Sequence, residues 1–123
     1  MAKALPPLVE HCLELFSPLG AVRAKSMFGG YGFYLDDLFF ALIADETLFL
    51  KVDDQTEGAF RDAGSYAFTY SYKDGRSVTM AYWSAPEEAM ESPPMMRDWA
   101  RLALGAALRA RKPAARRAKG SAA

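Results

Sequence analysis

Residues 31–52 read YGFYLDDLFFALIADETLFLKV. Two polar pairs, Asp36-Asp37 and Asp45-Glu46, cut this run into three apolar segments of strand length. Short polar breaks between short apolar runs rich in aromatics and β-branched residues read as antiparallel strands joined by tight turns. The reading is therefore a meander: Tyr31–Leu35, Leu38–Ala44 and Leu48–Val52. Leu38–Ala44 shows no polar alternation, which predicts a central strand covered on both faces. A further strand over 23–28 could precede the meander.

Outward from this core the chain alternates with helices. Leu5, Leu8, Val9, Cys12, Leu13 and Phe16 fall at spacings of three and four, one face of a helix over 5–16, stopped by Ser17-Pro18-Leu19-Gly20. Asp54 and Glu57 have the spacing of a capping box opening a short helix, with Gly64 as its stop. Strand alternation then returns in Tyr66, Phe68, Tyr70 and Tyr72. Asp74-Gly75 is a hairpin signal, and Val78, Met80 and Tyr82 alternate on the returning strand. Ser84 to Glu87 reads as a second capping box for a short helix near 85–91. Ser92-Pro93-Pro94 opens the last helix, with Met95/Met96, Trp99, Leu102/Ala103 and Ala106 on its inner face. Helices and antiparallel strands in separate runs give an α+β fold, with about five to six strands flanked by helices. Residues 1–112 are expected to form one domain. Pro113 is expected to end order, leaving 113–123 as a disordered basic tail.

Composition narrows the function. Half of the 123 residues (51%) are hydrophobic, enough for a folded core. Net charge is zero but divided: residues 1–100 carry eight basic and fifteen acidic residues, a balance of −7, and residues 101–123 carry seven basic and none acidic. With one cysteine, Cys12, and one histidine, His11, the chain can build neither an internal disulfide nor an ordinary Cys/His zinc site. The longest apolar run, Leu38–Ala44, has seven residues, too short to span a bilayer. A cytoplasmic protein without a membrane segment is expected.

No stretch carries an evident reaction. In Met27-Phe28-Gly29-Gly30-Tyr31-Gly32 the glycines precede a strand, not a helix, and no Gly-Lys-Ser/Thr follows. They read as a structural turn or a close backbone approach rather than a nucleotide loop. His11 and Cys12 are adjacent on a helix, about 100° apart, so a Cys/His dyad gives way to a buried thiol beside an exposed imidazole. The acid pairs Asp36-Asp37, Asp45-Glu46 and Asp53-Asp54 could hold a hard cation, but such residues more often solvate turns and cap helices. The aromatic row of residues 66–72 could stack bases, yet no basic, glycine-rich RNA-binding pattern accompanies it. Core or a subunit interface is the better reading. Neither catalytic residues nor a metal or cofactor site is assigned.

Three stretches taken together, "RAKSMFGGYGFYLDDLFFALIADETLFLKVDD", "FTYSYKDGRSVTMAYWSAPEEA" and "WARLALGAALRA", resemble the N-terminal domain of the TfoX/Sxy family. The resemblance covers about residues 8–110. It implies a compact, secretion-chaperone-like α+β domain from a bacterium. It also implies a non-enzymatic regulatory role linked to natural competence, in contact with transcription machinery such as the cyclic-AMP receptor protein. Against the two-domain competence regulators, this chain reads as a single-domain member. Two surfaces are candidates beside it: a homodimer interface near Tyr70, Tyr72 and Tyr82, and weak, sequence-indifferent phosphate contacts from Lys112, Arg116, Arg117 and Lys119.

Overall fold

The structure is a computed structural model describing residues 5–27 and 29–122, with side chains described as far as Arg111. The helices are α1 (Pro7–Leu15), α2 (Glu57–Asp62) and α3 (Pro93–Ala122), with single 3₁₀ turns at Ser17–Leu19 and Glu87–Met90. Six strands, β1 (Arg23–Met27), β2 (Gly30–Leu35), β3 (Leu38–Ala44), β4 (Thr47–Lys51), β5 (Ala67–Ser71) and β6 (Ser77–Ser84), form one antiparallel sheet. Their order is β1-β2-β3-β4-β6-β5. The fold is α+β, and β3 lies inside the sheet as expected.

The helices lie on one face of this sheet. Phe16, at the end of α1, packs edge-on against Phe33 and Phe40, with centroids 5.3 and 5.0 Å away. Phe60 of α2 meets Trp99 of α3 at 5.0 Å. The buried cluster joins Val9, Cys12 and Leu15 of α1 to Ile43, Leu48 and Leu50 of the sheet and to Met96, Ala100 and Ala103 of α3. Alanines on the inner side of α3 let its backbone approach the strands closely. Asp53, just past β4, ties α3 down from the other end: Arg109 donates to both carboxylate oxygens, at 2.6 and 3.0 Å.

Several local expectations are corrected. β3 is not sandwiched between two layers: helices cover one of its faces, and side chains of the sheet itself shield the other. The register places Phe33 opposite Ala41 but Tyr34 opposite Phe39, so Phe40 is an extra residue, a β-bulge that turns its ring toward the helices. The acid at the start of α2 is Asp53, not Asp54. Its carboxylate accepts from the Gln55 N–H while the Thr56 hydroxyl accepts from the Asp53 N–H, an arrangement closed one residue earlier than the capping-box spacing suggests. Ser84 caps no helix; it ends β6, and its hydroxyl accepts the Tyr66 N–H at 3.1 Å. Of α3 beyond Arg111 only the backbone is described, as helix to Ala122.

Candidate functional site: the open face of the sheet

The face turned away from the helices is unusually aromatic. Cross-strand partners point to the same side of a sheet, and alternate residues share a face. The registers Tyr34↔Phe39, Gly32↔Leu42, Leu42↔Phe49, Lys51↔Tyr82 and Tyr70↔Val78 therefore gather one set of side chains on the side opposite Phe33 and Leu50. Tyr34 stacks on Phe39 at 5.0 Å, and Phe39 meets Tyr82 at 5.6 Å. Lys51 Nζ sits 5.0 Å over the Tyr82 ring. On β4, Phe49 touches Phe68 at 4.9 Å and Tyr66 at 5.9 Å. Rings thus reach across β2, β3, β4, β6 and β5, and none of the described helices lies over them.

The glycine-rich motif serves this arrangement. Gly29 closes the two-residue turn from β1 to β2 with φ 78°, a conformation glycine adopts without penalty. A Cβ on Gly30 would lie 2.0 Å from the Ile43 carbonyl oxygen, so its bare Cα lets β3 come close. A Cβ on Gly32 would meet Met27 Cε and Phe39 Cε1 at 2.7 Å; the gap is filled from the open side by those two side chains. Met27, Gly32 and Phe39 form one patch. Tyr31 lies on the opposite, helix-covered side, opposite Ile43. Phe28 lies outside the described residues.

The three tyrosines of the expected interface share a face but not an environment. Tyr82 is buried, 7% exposed beneath Phe39 and Lys51, and that burial, with Tyr34 beside it, pushes its phenol up to about 12. Tyr70 and Tyr72 are exposed and touch each other edge-on at 4.9 Å. They stand on an arm. β4 pairs with β6 only over Tyr82–Ser84, so the outer part of the β5–β6 hairpin projects as two strands. Every residue from Thr69 to Ala81 is exposed, Val78 and Met80 among them. The side chains of Lys112, Arg116, Arg117 and Lys119 lie outside the described residues.

The other candidates separate. The Cys12 thiol lies in the core, where burial raises it to about 12 and leaves it protonated and inert. His11 points away and its Nε2 bonds the Met90 carbonyl at 2.9 Å. Asp36-Asp37 and Asp45-Glu46 form the β2–β3 and β3–β4 turns, all four with positive φ. Asp53 pairs with Arg109, whose hydrogen bond holds its carboxyl below the usual range. No group of three metal-ligating side chains occurs among the described residues. A cleft of about 450 Å³ between the α2–β5 loop and the end of β6, bordered by Ser65, Tyr66, Ser84, Glu87 and Glu88, gathers no reactive constellation. Among the described residues no helix is long and apolar enough to cross a membrane.

Sequence reasoning missed Tyr34, Phe39, Phe49 and Lys51 as members of this face. Alternation marks Phe49 and Lys51 in β4, but the unbroken apolar run of β3 concealed which of its residues faced away from the helices.

Comparison with known proteins agrees with this architecture. The family model described as the TfoX N-terminal domain matches residues 14–107. Protein Sxy of Escherichia coli (strain K12) is 30% identical over 96 residues, 78% of this chain and 46% of that protein. DNA transformation protein TfoX1 of Aliivibrio fischeri (strain ATCC 700601 / ES114) is 28% identical over 80 residues, 65% of this chain and 38% of that protein. The matched region spans less than half the length of either relative.

Proposed function

The chain belongs to the TfoX N-terminal domain family, and on that premise we propose that it is a non-enzymatic regulatory domain of DNA transformation that acts by protein–protein contact through the open face of its sheet. The observation that carries this reading is the aromatic face itself. Tyr34, Phe39 and Leu42 stay half-buried there and Tyr66, Tyr70, Tyr72, Val78 and Met80 are exposed, and apolar side chains left uncovered together on one side of a sheet mark an interaction surface. Tyrosine and tryptophan are enriched among the few residues that dominate interface energies, and Lys51 sets a charge over the Tyr82 ring. By family resemblance the partner belongs to the transcription machinery, the cyclic-AMP receptor protein being the first to test.

The test uses the source bacterium. Deleting the gene should lower transformation frequency and the output of a competence-promoter reporter. The wild-type chain should restore both, and a chain carrying Tyr34→Ser and Leu42→Ser, on the half-buried centre of the face, should not. A deletion strain that transforms and reports as well as its parent overturns the reading.

A second reading rests on the charge division. The basic residues beyond Arg101 would bind nucleic acid through Lys112, Arg116, Arg117 and Lys119, without reading bases. Affinity would then fall with salt at a log–log slope of roughly −3 to −4 and be mostly lost on deletion of 113–123. Unchanged DNA affinity after that deletion would move the contact onto the body.

A further inference from the structure

We infer that β5 is a self-pairing edge: two copies of this chain join antiparallel through Ala67–Ser71 about a two-fold axis at Thr69, making one continuous twelve-stranded sheet with a shared open face. The inference goes beyond the reading of that face as a protein-contact surface: the second copy occupies the β5 edge and leaves the face open.

Three observations lead there. The sheet has two edges, and they differ. β1, on one edge, carries Arg23 and Lys25, the charges that natural sheets place on an edge to prevent further pairing. β5, on the other, reads Ala-Phe-Thr-Tyr-Ser, with no charge and no proline. Next, the arm is too slight to stand alone. Two-stranded ribbons are marginal in water, and three or more strands are needed for independent stability. Joining two arms gives four strands, β6-β5-β5-β6, where each had two.

Last, the strand is self-complementary. Residues 66–72 read YAFTYSY, aromatic and small residues alternating symmetrically about Thr69. An axis there sets Phe68 opposite Tyr70 of the second copy and Tyr66 opposite Tyr72, both on the open face. It sets Ala67 opposite Ser71 and Thr69 opposite itself on the other. Aromatic and threonine pairs are among the favourable cross-strand matches, and no like charges meet within the strand. The backbone agrees. Tyr66 and Tyr72 turn their groups inward: Ser84 N–H donates to the Tyr66 carbonyl and Tyr72 N–H donates to the Arg76 carbonyl, each at 2.8 Å. The β5–β6 register shifts between Ala67 and Thr69, but the extra residues lie on β6, so alternation along β5 still leaves the N–H and C=O of Ala67, Thr69 and Ser71 on the free edge. An axis at Thr69 matches those groups to one another; each pair exchanges both of its hydrogen bonds.

Sedimentation of the full chain tests the pairing. At tens of micromolar the wild type should run at twice 13.5 kDa. Thr69→Lys and Thr69→Glu, each setting like charges against each other across the axis, should both run at 13.5 kDa. An equimolar mixture should recover the doubled mass, because only there do opposite charges meet. A second variant pair guards against misfolding. Thr69→Cys should cross-link with a bis-maleimide too short to span four residues of strand, roughly 14 Å. Ser71→Cys, which the axis places opposite Ala67, should not. Cys12, buried and protonated, leaves the background clean.

A wild type at 13.5 kDa overturns self-pairing and leaves the edge to a strand from another protein. A doubled mass unaffected by both charge variants, or equal cross-linking at the two positions, overturns the axis. Either failure leaves the transformation test of the open face untouched. Conversely, a dimer that behaves as described in a protein without effect on transformation separates the pairing from the proposed role.

Discussion

Phe39 and Phe40 are neighbours on β3 and are both phenylalanines, yet they belong to different worlds. Phe40 is fully buried between the sheet and the helices, against Phe16. Phe39 lies on the open face, half-buried between Tyr34 and Tyr82. The same contrast holds for the two faces as wholes. One is filled by aliphatic and phenylalanine side chains that interdigitate with alanines and methionine of α3. The other is covered only by its own rings lying against one another, with tyrosine hydroxyls and Lys51 at its surface. A face closed by another layer contributes stability. A face closed only by itself retains area that a partner can still remove from water.

The sharpest way to break this contrast is to truncate the two phenylalanines in turn. Phe40→Ala should lower unfolding free energy by about 3–5 kcal/mol, as for other fully buried phenylalanines that leave a cavity. Phe39→Ala, which leaves a surface dent instead, should lower it by about 1–2 kcal/mol. Equal losses in urea denaturation would mean the open face is as much core as the covered one.

Gly30→Val tests whether the motif is structural. The added Cβ must displace the Ile43 carbonyl, so stability should fall by about 1–3 kcal/mol. Gly29→Ala, strained only through its positive φ, should fall by less, about 1 kcal/mol. Thermal melts that rank the two in reverse would place the strain in the turn rather than between strands.

The Asp53–Arg109 pair fastens the covered side from its rim and makes that side sensitive to acid. Arg109 lowers the Asp53 carboxyl in the folded chain. A depressed carboxyl stabilises the fold fully above its unfolded value, near 3.9. That contribution is lost as pH falls from there through the folded value. Asp53→Asn should therefore lower stability at pH 7 by about 1–2 kcal/mol, a range that allows for partial exposure. The gap to wild type should narrow below about pH 4. A gap constant from pH 7 to pH 3 would show that the ion pair contributes nothing.

The smallest expected effect is at the arm. Tyr70→Ser should change the stability of the isolated chain by no more than about 0.5 kcal/mol, since the ring is exposed. A large loss on dilute samples would mean that the arm is packed within one chain, and the comparison of faces would have to be redrawn.

Much of this architecture is legible in the linear chain because it depends on neighbours. The meander follows from apolar runs separated by Asp36-Asp37 and Asp45-Glu46, the hairpin from Asp74-Gly75, and the helical faces from spacings of three and four. Even the symmetry of residues 66–72 is present in the order of residue types. What these signals do not carry is which side of β3 faces the helices. A run without polar residues is compatible with either face, and the bulge at Phe40 changes the parity within the strand. Nor do they reveal that all four turn acids adopt positive φ, since aspartate and glutamate are ordinary turn residues in many conformations; the two-residue connections imposed by strand pairing force it. The individual reasons for Gly30 and Gly32 depend on Ile43 and Phe39, residues brought close only by pairing. The open face itself is a tertiary fact. Strand periodicity says that two faces exist, but the choice between them depends on where α1, α2 and α3 can all bury their apolar sides at once, and they do so on the same side of the sheet.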